Sequence, residues 1–320
     1  MRTIPLLCFV AACGGGSAPP PPPAPAPGAG GPGVPVARAA PVILKSARVN
    51  GTTLAYRIVG DSGTPVVLVH GSLGDFGDWD AQVATFAQRH RVLVYSRRYH
   101  PPNPPLNDDQ VYSPMLHADD LAALLLQLDF APAHIVGASY GAYTALILAL
   151  EHPELVRSAV LGEPPILPLL NSTPEGDAIR RAFYMNTLDP ARAAFVRGDS
   201  VGALRVFIDG LSETPGLFDR LPPPVRADIL AHSFEMRREM LASREQHYPP
   251  VSCPDLGRLH TPVLLLRASR SPARLQLITD ELARCLRNDT TVTIPNANHG
   301  MNTTNPAYYN QAVLRYLATH

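Results

Sequence analysis

Residues 137–141 read Gly-Ala-Ser-Tyr-Gly, at the point where an apolar run, Ala133 to Val136, gives way to a helical pattern, Ala142 to Leu150. A chain that passes from buried strand to helix within five residues must turn very sharply. Side chains have no room at the flanks of such a turn, which accounts for Gly137 and Gly141. The same turn lifts the hydroxyl of Ser139 above the strand end, where a carbonyl group can meet it. This geometry demands a sheet around the strand, and the rest of the chain must supply it.

It does so by alternation. Lys45–Val49 and Thr53–Val59 read as two short strands joined at Asn50-Gly51, a hairpin turn signal. Val66–Val69 is a continuous apolar run, as a strand buried on both faces would be. The spacing predicts a helix over Trp79–Arg89 capped by Asp78, a strand at Val92–Tyr95, and an apolar helix over Ala118–Leu128. After the turn and its helix comes a strand at Val156–Gly162, closed by Pro164-Pro165. Residues 166–247 break the pattern and read as short amphipathic helices. The alternation then resumes with a strand at Pro262–Arg267, a helix at Arg274–Leu286, a strand at Thr291–Ile294 and a closing helix at Tyr308–Leu317. Repeated strand–helix units imply an α/β protein with a mostly parallel sheet covered on both faces.

The N-terminus does not read as fold material. Arg2 is followed by the apolar run Ile4–Ala12, and then by Cys13 and small residues. A positive start, a short apolar region and small residues form a secretory signal. Val10-Ala11-Ala12-Cys13 resembles the bacterial lipobox, in which the cysteine is lipidated and becomes the first residue after cleavage. Residues 1–12 are thus the expected signal. Residues 13–41, rich in proline and glycine, are an expected extended tether that can build no core. The folded part then runs from 42 to 320, with a core of 42–165 and 248–320 around a cap of 166–247. The expected location is outside the cytoplasm, on a membrane. The formal net charge of the 320 residues is zero, so no global field attracts nucleic acid. No apolar stretch reaches the length of a spanning helix.

Four motifs fall in a recognisable order: His70-Gly71-Ser72-Leu73-Gly74 with Trp79, Ser96-Arg97-Arg98-Tyr99-His100, the Gly137–Gly141 turn, and Asn298-His299-Gly300-Met301. Over residues 42–320 the chain resembles the α/β-hydrolase fold with a helical cap. That resemblance implies an eight-stranded sheet and a serine nucleophile served by a histidine base and a carboxylate, in the chain order Ser, Asp or Glu, His. Ser139 is then the nucleophile and His299 the base. The family's usual acid follows the seventh strand, but the residues there are Ala268-Ser269-Arg270-Ser271-Pro272. No carboxylate appears before Asp280. Glu163, held between the sixth strand and two prolines, occupies the other known position and is the predicted acid.

The oxyanion of such a reaction needs preorganised backbone N–H groups. Tyr140, directly after the nucleophile, is one candidate. Ser72 is the favoured second donor, with Leu73 behind it. His70 and the Arg97–His100 stretch read as loop-shaping residues, against a weaker role in holding a substrate anion. Phe183, Tyr184, Met185, Phe207, Phe234 and Met236 either line a pocket or form the core of the cap. Cys253 and Cys285 fall near one sheet edge and read either as a disulfide or as two buried thiols. No Cys/His spacing resembles a zinc site, and the implied acyl chemistry needs no cofactor.

The expected activity is hydrolysis of a small or medium ester- or amide-type acyl substrate. Carbon–carbon bond hydrolysis, a cofactor-free haloperoxidase-like activity and a non-catalytic ligand-binding lipoprotein stay open. Epoxide and haloalkane chemistry would call for an aspartate where Ser139 stands.

Overall fold

The alternation builds one eight-stranded sheet in the order β1-β2-β4-β3-β5-β6-β7-β8, seen in a computed structural model that describes residues 43–320. Its strands are β1 (Lys45–Val49), β2 (Thr52–Val59), β3 (Thr64–Val69), β4 (His90–Tyr95), β5 (Ala133–Ala138), β6 (Val156–Gly162), β7 (Val263–Ala268) and β8 (Asp289–Ile294). The pairs β1–β2 and β2–β4 are antiparallel, and all the others are parallel. Within the core the helices are α1 (Asp80–Phe86), α2 (Pro114–Gln127) and α3 (Tyr140–Glu151). Between β6 and β7 lie α4 (Pro174–Phe183), α5 (Asp189–Val196), α6 (Ser200–Leu211), α7 (Leu217–Arg220), α8 (Pro223–Ala231), α9 (Ser233–Leu241), α10 (Arg244–His247) and α11 (Cys253–Leu256). The chain closes with α12 (Ala273–Cys285), α13 (Met301–Thr304) and α14 (Pro306–Leu317). None of the described helices is long and apolar enough to cross a membrane.

The central strands are apolar over most of their length because both faces of the sheet are covered. Along β3, Val67 and Val69 face the core under α2, α3 and the inserted helices, while Val66 and Leu68 face the one under α1 and α14. The same split separates Leu93 and Tyr95 from Val92 and Val94 on β4. Successive side chains of a strand point to opposite faces, so a continuous apolar run is what a twice-covered strand requires.

The ends of several helices differ from expectation. The helix predicted from Trp79 with Asp78 as its cap begins at Asp80. The capping bond lies one turn earlier, where Asp75 Oδ1 accepts from the Gly77 amide at 2.6 Å and opens a short 3-10 turn, Phe76–Trp79. The helix predicted from Ala118 starts at Pro114, because Ser113 Oγ accepts from the Leu116 amide at 3.1 Å and the proline fits the first turn. Cys253, at the start of α11, and Cys285, at the end of α12, form a disulfide with their Cα atoms 4.9 Å apart. The expected signal (1–12), the lipidated Cys13 and the tether up to residue 41 lie outside the described residues.

Candidate active site

The parallel strands end on one edge of the sheet, and the candidate residues gather there, as ligand sites do in open α/β sheets. Ser139 sits between β5 and α3 with φ 52° and ψ −122°, a conformation rare for a residue with a side chain. Its amide donates to the Gly162 carbonyl at 2.8 Å, which ties the turn to the end of β6. A side chain on Gly137 would run into the Gly141 carbonyl, and one on Gly141 into the Val69 carbonyl. Both glycines are therefore required by backbone contact.

One strand over, Glu163 follows directly after β6 at φ 45° and is fully buried. Its amide donates to the Leu266 carbonyl of β7 at 3.2 Å, so the residue is held between two strand ends. The carboxylate is held as firmly. Oε1 accepts from the Ala268 amide at 2.8 Å, and Oε2 accepts from the Ser271 hydroxyl at 2.6 Å. Oε2 also meets Nδ1 of His299 at 2.7 Å. A carboxylate beside Nδ1 favours the proton on that nitrogen and leaves Nε2 with a free lone pair. Ser271 stands where the resembled family carries its acid, and it serves here as a donor to an acid from the neighbouring strand.

Ser139 and His299 line one cavity of about 70 Å³, together with Ser72, Glu239, Arg274 and the apolar side chains of Leu167, Phe183, Phe207, Leu211 and Leu275. A space of this size takes several waters and is far below that of a pocket for a drug-sized ligand. The inserted helices form its roof. Of the cap side chains named from the sequence, Phe183 and Phe207 reach the cavity. Met185 is exposed, Tyr184 and Met236 are buried elsewhere, and Phe234 packs near the ring of Tyr99.

The loop after β3 carries the two predicted amide donors, and the structure separates them. The Leu73 amide, at positive φ, donates to Glu235 Oε1 at 2.7 Å and is thereby committed to α9. This corrects its expected availability. The Ser72 side chain donates to Glu239 Oε1 at 3.0 Å. Glu235 and Glu239 are functional candidates that sequence reasoning missed. Both lie on the buried stripe of α9 that also carries Met236 and Met240, so the signal was two acids at i, i+4 on an apolar face. Burial pushes the Glu235 carboxyl well above the usual range, and the charge of Glu239 adds to this. Burial opposes ionisation of Glu239 too, but the hydrogen bonds from His247 and Ser72 and the charges of His247 and Arg97 together hold that carboxyl low.

Beneath this loop, His70 Nδ1 faces the Gly71 carbonyl at 2.9 Å and its Nε2 accepts from the Arg97 amide at 2.9 Å. Arg97 is buried and donates to the carbonyls of His70 and Gly71 at 3.1 and 2.9 Å. Arg98 is bound through two 2.7 Å contacts to Asp120. These residues shape the loops, in line with their sequence reading.

A family model described as the alpha/beta hydrolase fold matches residues 64–306. The chain is 34% identical over 124 residues to the uncharacterized hydrolase YraK of Bacillus subtilis, a match covering 39% of this chain and less than half, 45%, of that protein. It is 25% identical over 276 residues to 3-oxoadipate enol-lactonase 2 of Acinetobacter baylyi, covering 81% of this chain and 91% of that one. In three dimensions it is similar to a thermophilic esterase from Thermogutta terrifontis, at 24% identity and a TM-score of 0.65, over 87% of this chain and 99% of that one. The matched family model, together with the sheet order and the serine turn, makes this chain an enzyme of the alpha/beta hydrolase fold family.

Proposed function

We propose that the protein hydrolyses a small acyl ester or amide through a Ser139–His299–Glu163 triad. His299 Nε2 takes the proton of Ser139 as its Oγ attacks the substrate carbonyl. The amides of Tyr140 and Ser72 meet the developing oxyanion. Collapse of the tetrahedral intermediate releases the alcohol or amine, which is protonated by His299, and leaves an ester on Ser139. A water activated by His299 then attacks the acyl-enzyme and frees the acid. Glu163 holds the imidazole in the required tautomer and stabilises the imidazolium without taking its proton.

The observation that carries this reading is the 2.7 Å contact between His299 Nδ1 and Glu163 Oε2, beside a cavity that both His299 and Ser139 line. The cavity's size, about 70 Å³, and its mostly apolar wall favour a short acyl group. Helices 166–247 would act as a cap that opens to admit it. A series of p-nitrophenyl esters of increasing acyl length tests the reading. Turnover should be fastest for the shortest acyl groups and should vanish in Ser139→Ala. Turnover that persists in Ser139→Ala would remove it.

We further propose that the enzyme is exported and anchored through Cys13. The lipobox-like Val10–Cys13 run and the Cys253–Cys285 disulfide, a bond suited to an oxidising compartment, support this reading. Cys13→Ser should move the protein from the membrane to the soluble fraction. An unchanged distribution would count against the anchor.

A further inference from the structure

Behind the Ser72–Leu73 loop, three side chains from two distant parts of the sequence meet in the interior. His100 comes from the loop after β4, His232 from the junction of α8 and α9, and Glu235 from the first turn of α9. All three are buried, with exposures of 0, 3 and 0%. One ligand atom from each lies within 4.8 Å of the other two. Nε2 of His100 is 3.5 Å from Oε2 of Glu235. Nδ1 of His232 and Oε2 of Glu235 have no hydrogen-bond partner. Polar atoms in the interior are nearly always paired, and leaving one unpaired costs about 1–3 kcal/mol. Two such unpaired atoms, beside a His100 Nε2 whose contact with the Tyr112 hydroxyl is long at 3.4 Å, call for an occupant.

From this geometry we infer that His100, His232 and Glu235 form a buried site for one divalent transition-metal ion, with zinc as the best fit. Two imidazoles and a carboxylate are borderline ligands that suit zinc better than calcium or magnesium, which take all-oxygen shells. The remaining atoms of two ligands are already oriented from outside. His100 Nδ1 faces the Gly74 carbonyl at 2.9 Å, which leaves Nε2 as the ligating nitrogen. Glu235 Oε1 accepts from the Leu73 amide at 2.7 Å, which leaves Oε2 free. Such outer partners characterise metal ligands and fix their direction. The Tyr112 hydroxyl, 3.4 Å from His100 Nε2, or a water fills the fourth position. The buried Arg97 guanidinium opposes a cation here, and the Glu235 carboxylate offsets it, while Glu239 is paired with His247 at 2.9 Å.

The ion would be structural. It would rivet α9 to the loop after β3 and to the loop after β4, so that the cap and the Ser72 amide keep a fixed relation. The ligands lie far apart in the sequence, and only His232-x-x-Glu235 forms a local pair, so no spacing motif betrays the site.

The full-length protein, refolded with cobalt(II) or zinc and freed of loose metal, provides the test through elemental mass spectrometry and visible absorption. The expected result is one metal per chain, with cobalt ligand-field bands. Both signals should be lost in His232→Ala and in the isosteric Glu235→Gln. They should persist in His117→Ala, a neighbouring buried histidine outside the set. A folded wild-type protein without stoichiometric metal, or a His232→Ala variant that holds as much as wild type, overturns the site. If the variants fail to fold, the wild type decides. Its thermal midpoint must be higher after refolding with zinc than with a chelator, and an unchanged midpoint overturns the site equally. Esterase activity takes no part in these readouts.

Discussion

The Ser271 hydroxyl donates to Glu163 Oε2 at 2.6 Å, on the same oxygen that faces His299 Nδ1 at 2.7 Å. The Glu163 carboxylate stands at the end of β6, and Ser271, at the position after β7 where the resembled family carries its acid, supports it by a hydrogen bond. Glu163 therefore has three partners, the Ala268 amide, Ser271 and His299, and its carboxylate has little freedom to turn.

Ser271→Ala should lower kcat by roughly tenfold, the worth of one hydrogen bond to a charged group. Ser271→Asp should be worse than Ser271→Ala, although it restores the family's usual acid. Two carboxylates in contact cannot both stay ionised, and the proton they share would compete with His299 for Glu163. Steady-state rates for the two variants against pH provide the check, with the acidic limb of Ser271→Asp displaced upward.

Glu163→Gln should cut kcat by about 10³–10⁴, because the amide orients the wrong histidine tautomer. The variant keeps the volume of the native side chain, so its circular dichroism should match wild type. Near-normal turnover in the folded variant would remove Glu163 from the triad.

This division between Glu163 and Ser271 marks how far the sequence can be read. The strands and the Gly137–Gly141 turn were legible because each depends on local patterning, namely apolar runs and glycines forced by backbone contact, whereas His299 was named through the resemblance. Glu163 was named through the resemblance, as the other position at which the family carries its acid, and its carboxylate lies 2.7 Å from His299 Nδ1. Glu235 and Glu239 were not legible, since an acid on a helix is ordinarily solvated and only the tertiary contact with Leu73 and Ser72 shows otherwise. The helix start at Pro114 was missed because a capping bond by Ser113, rather than periodicity, sets where the backbone turns, and the start at Asp80 because a 3-10 turn opened by Asp75 precedes the helix.

The Cys253–Cys285 disulfide closes a segment with a sequence separation of 32 and ties α11 to the end of α12. Removing it by Cys253→Ser and Cys285→Ser should cost about 4 kcal/mol of unfolding free energy by the chain-entropy relation. Urea melts of the oxidised protein and the double variant measure this, and identical midpoints would contradict it.

Asp75 gives a pH signature. Burial pushes its carboxyl up to about 6, the bond from the Gly77 amide opposes this, and the charges of Asp228 and Asp80 add to it. The folded state thus binds the proton more tightly than the unfolded chain. The stability this contributes is full below the unfolded value of 3.8 and is lost as pH rises through about 6. Asp75→Asn keeps an acceptor for Gly77 and removes the charge. It should therefore be more stable than wild type by up to about 3 kcal/mol above that range, with the difference vanishing in acid. Thermal melts of both proteins across the pH range check the sign.

The central claim is that Ser139 is a nucleophile activated through His299 and Glu163. Active-site titration with a fluorophosphonate, followed by peptide mass spectrometry, tests it most directly. The account predicts one adduct per chain, on Ser139, with labelling slowed by orders of magnitude in Glu163→Gln. A folded protein that stays unlabelled at neutral pH, or that is labelled at another residue, would contradict it.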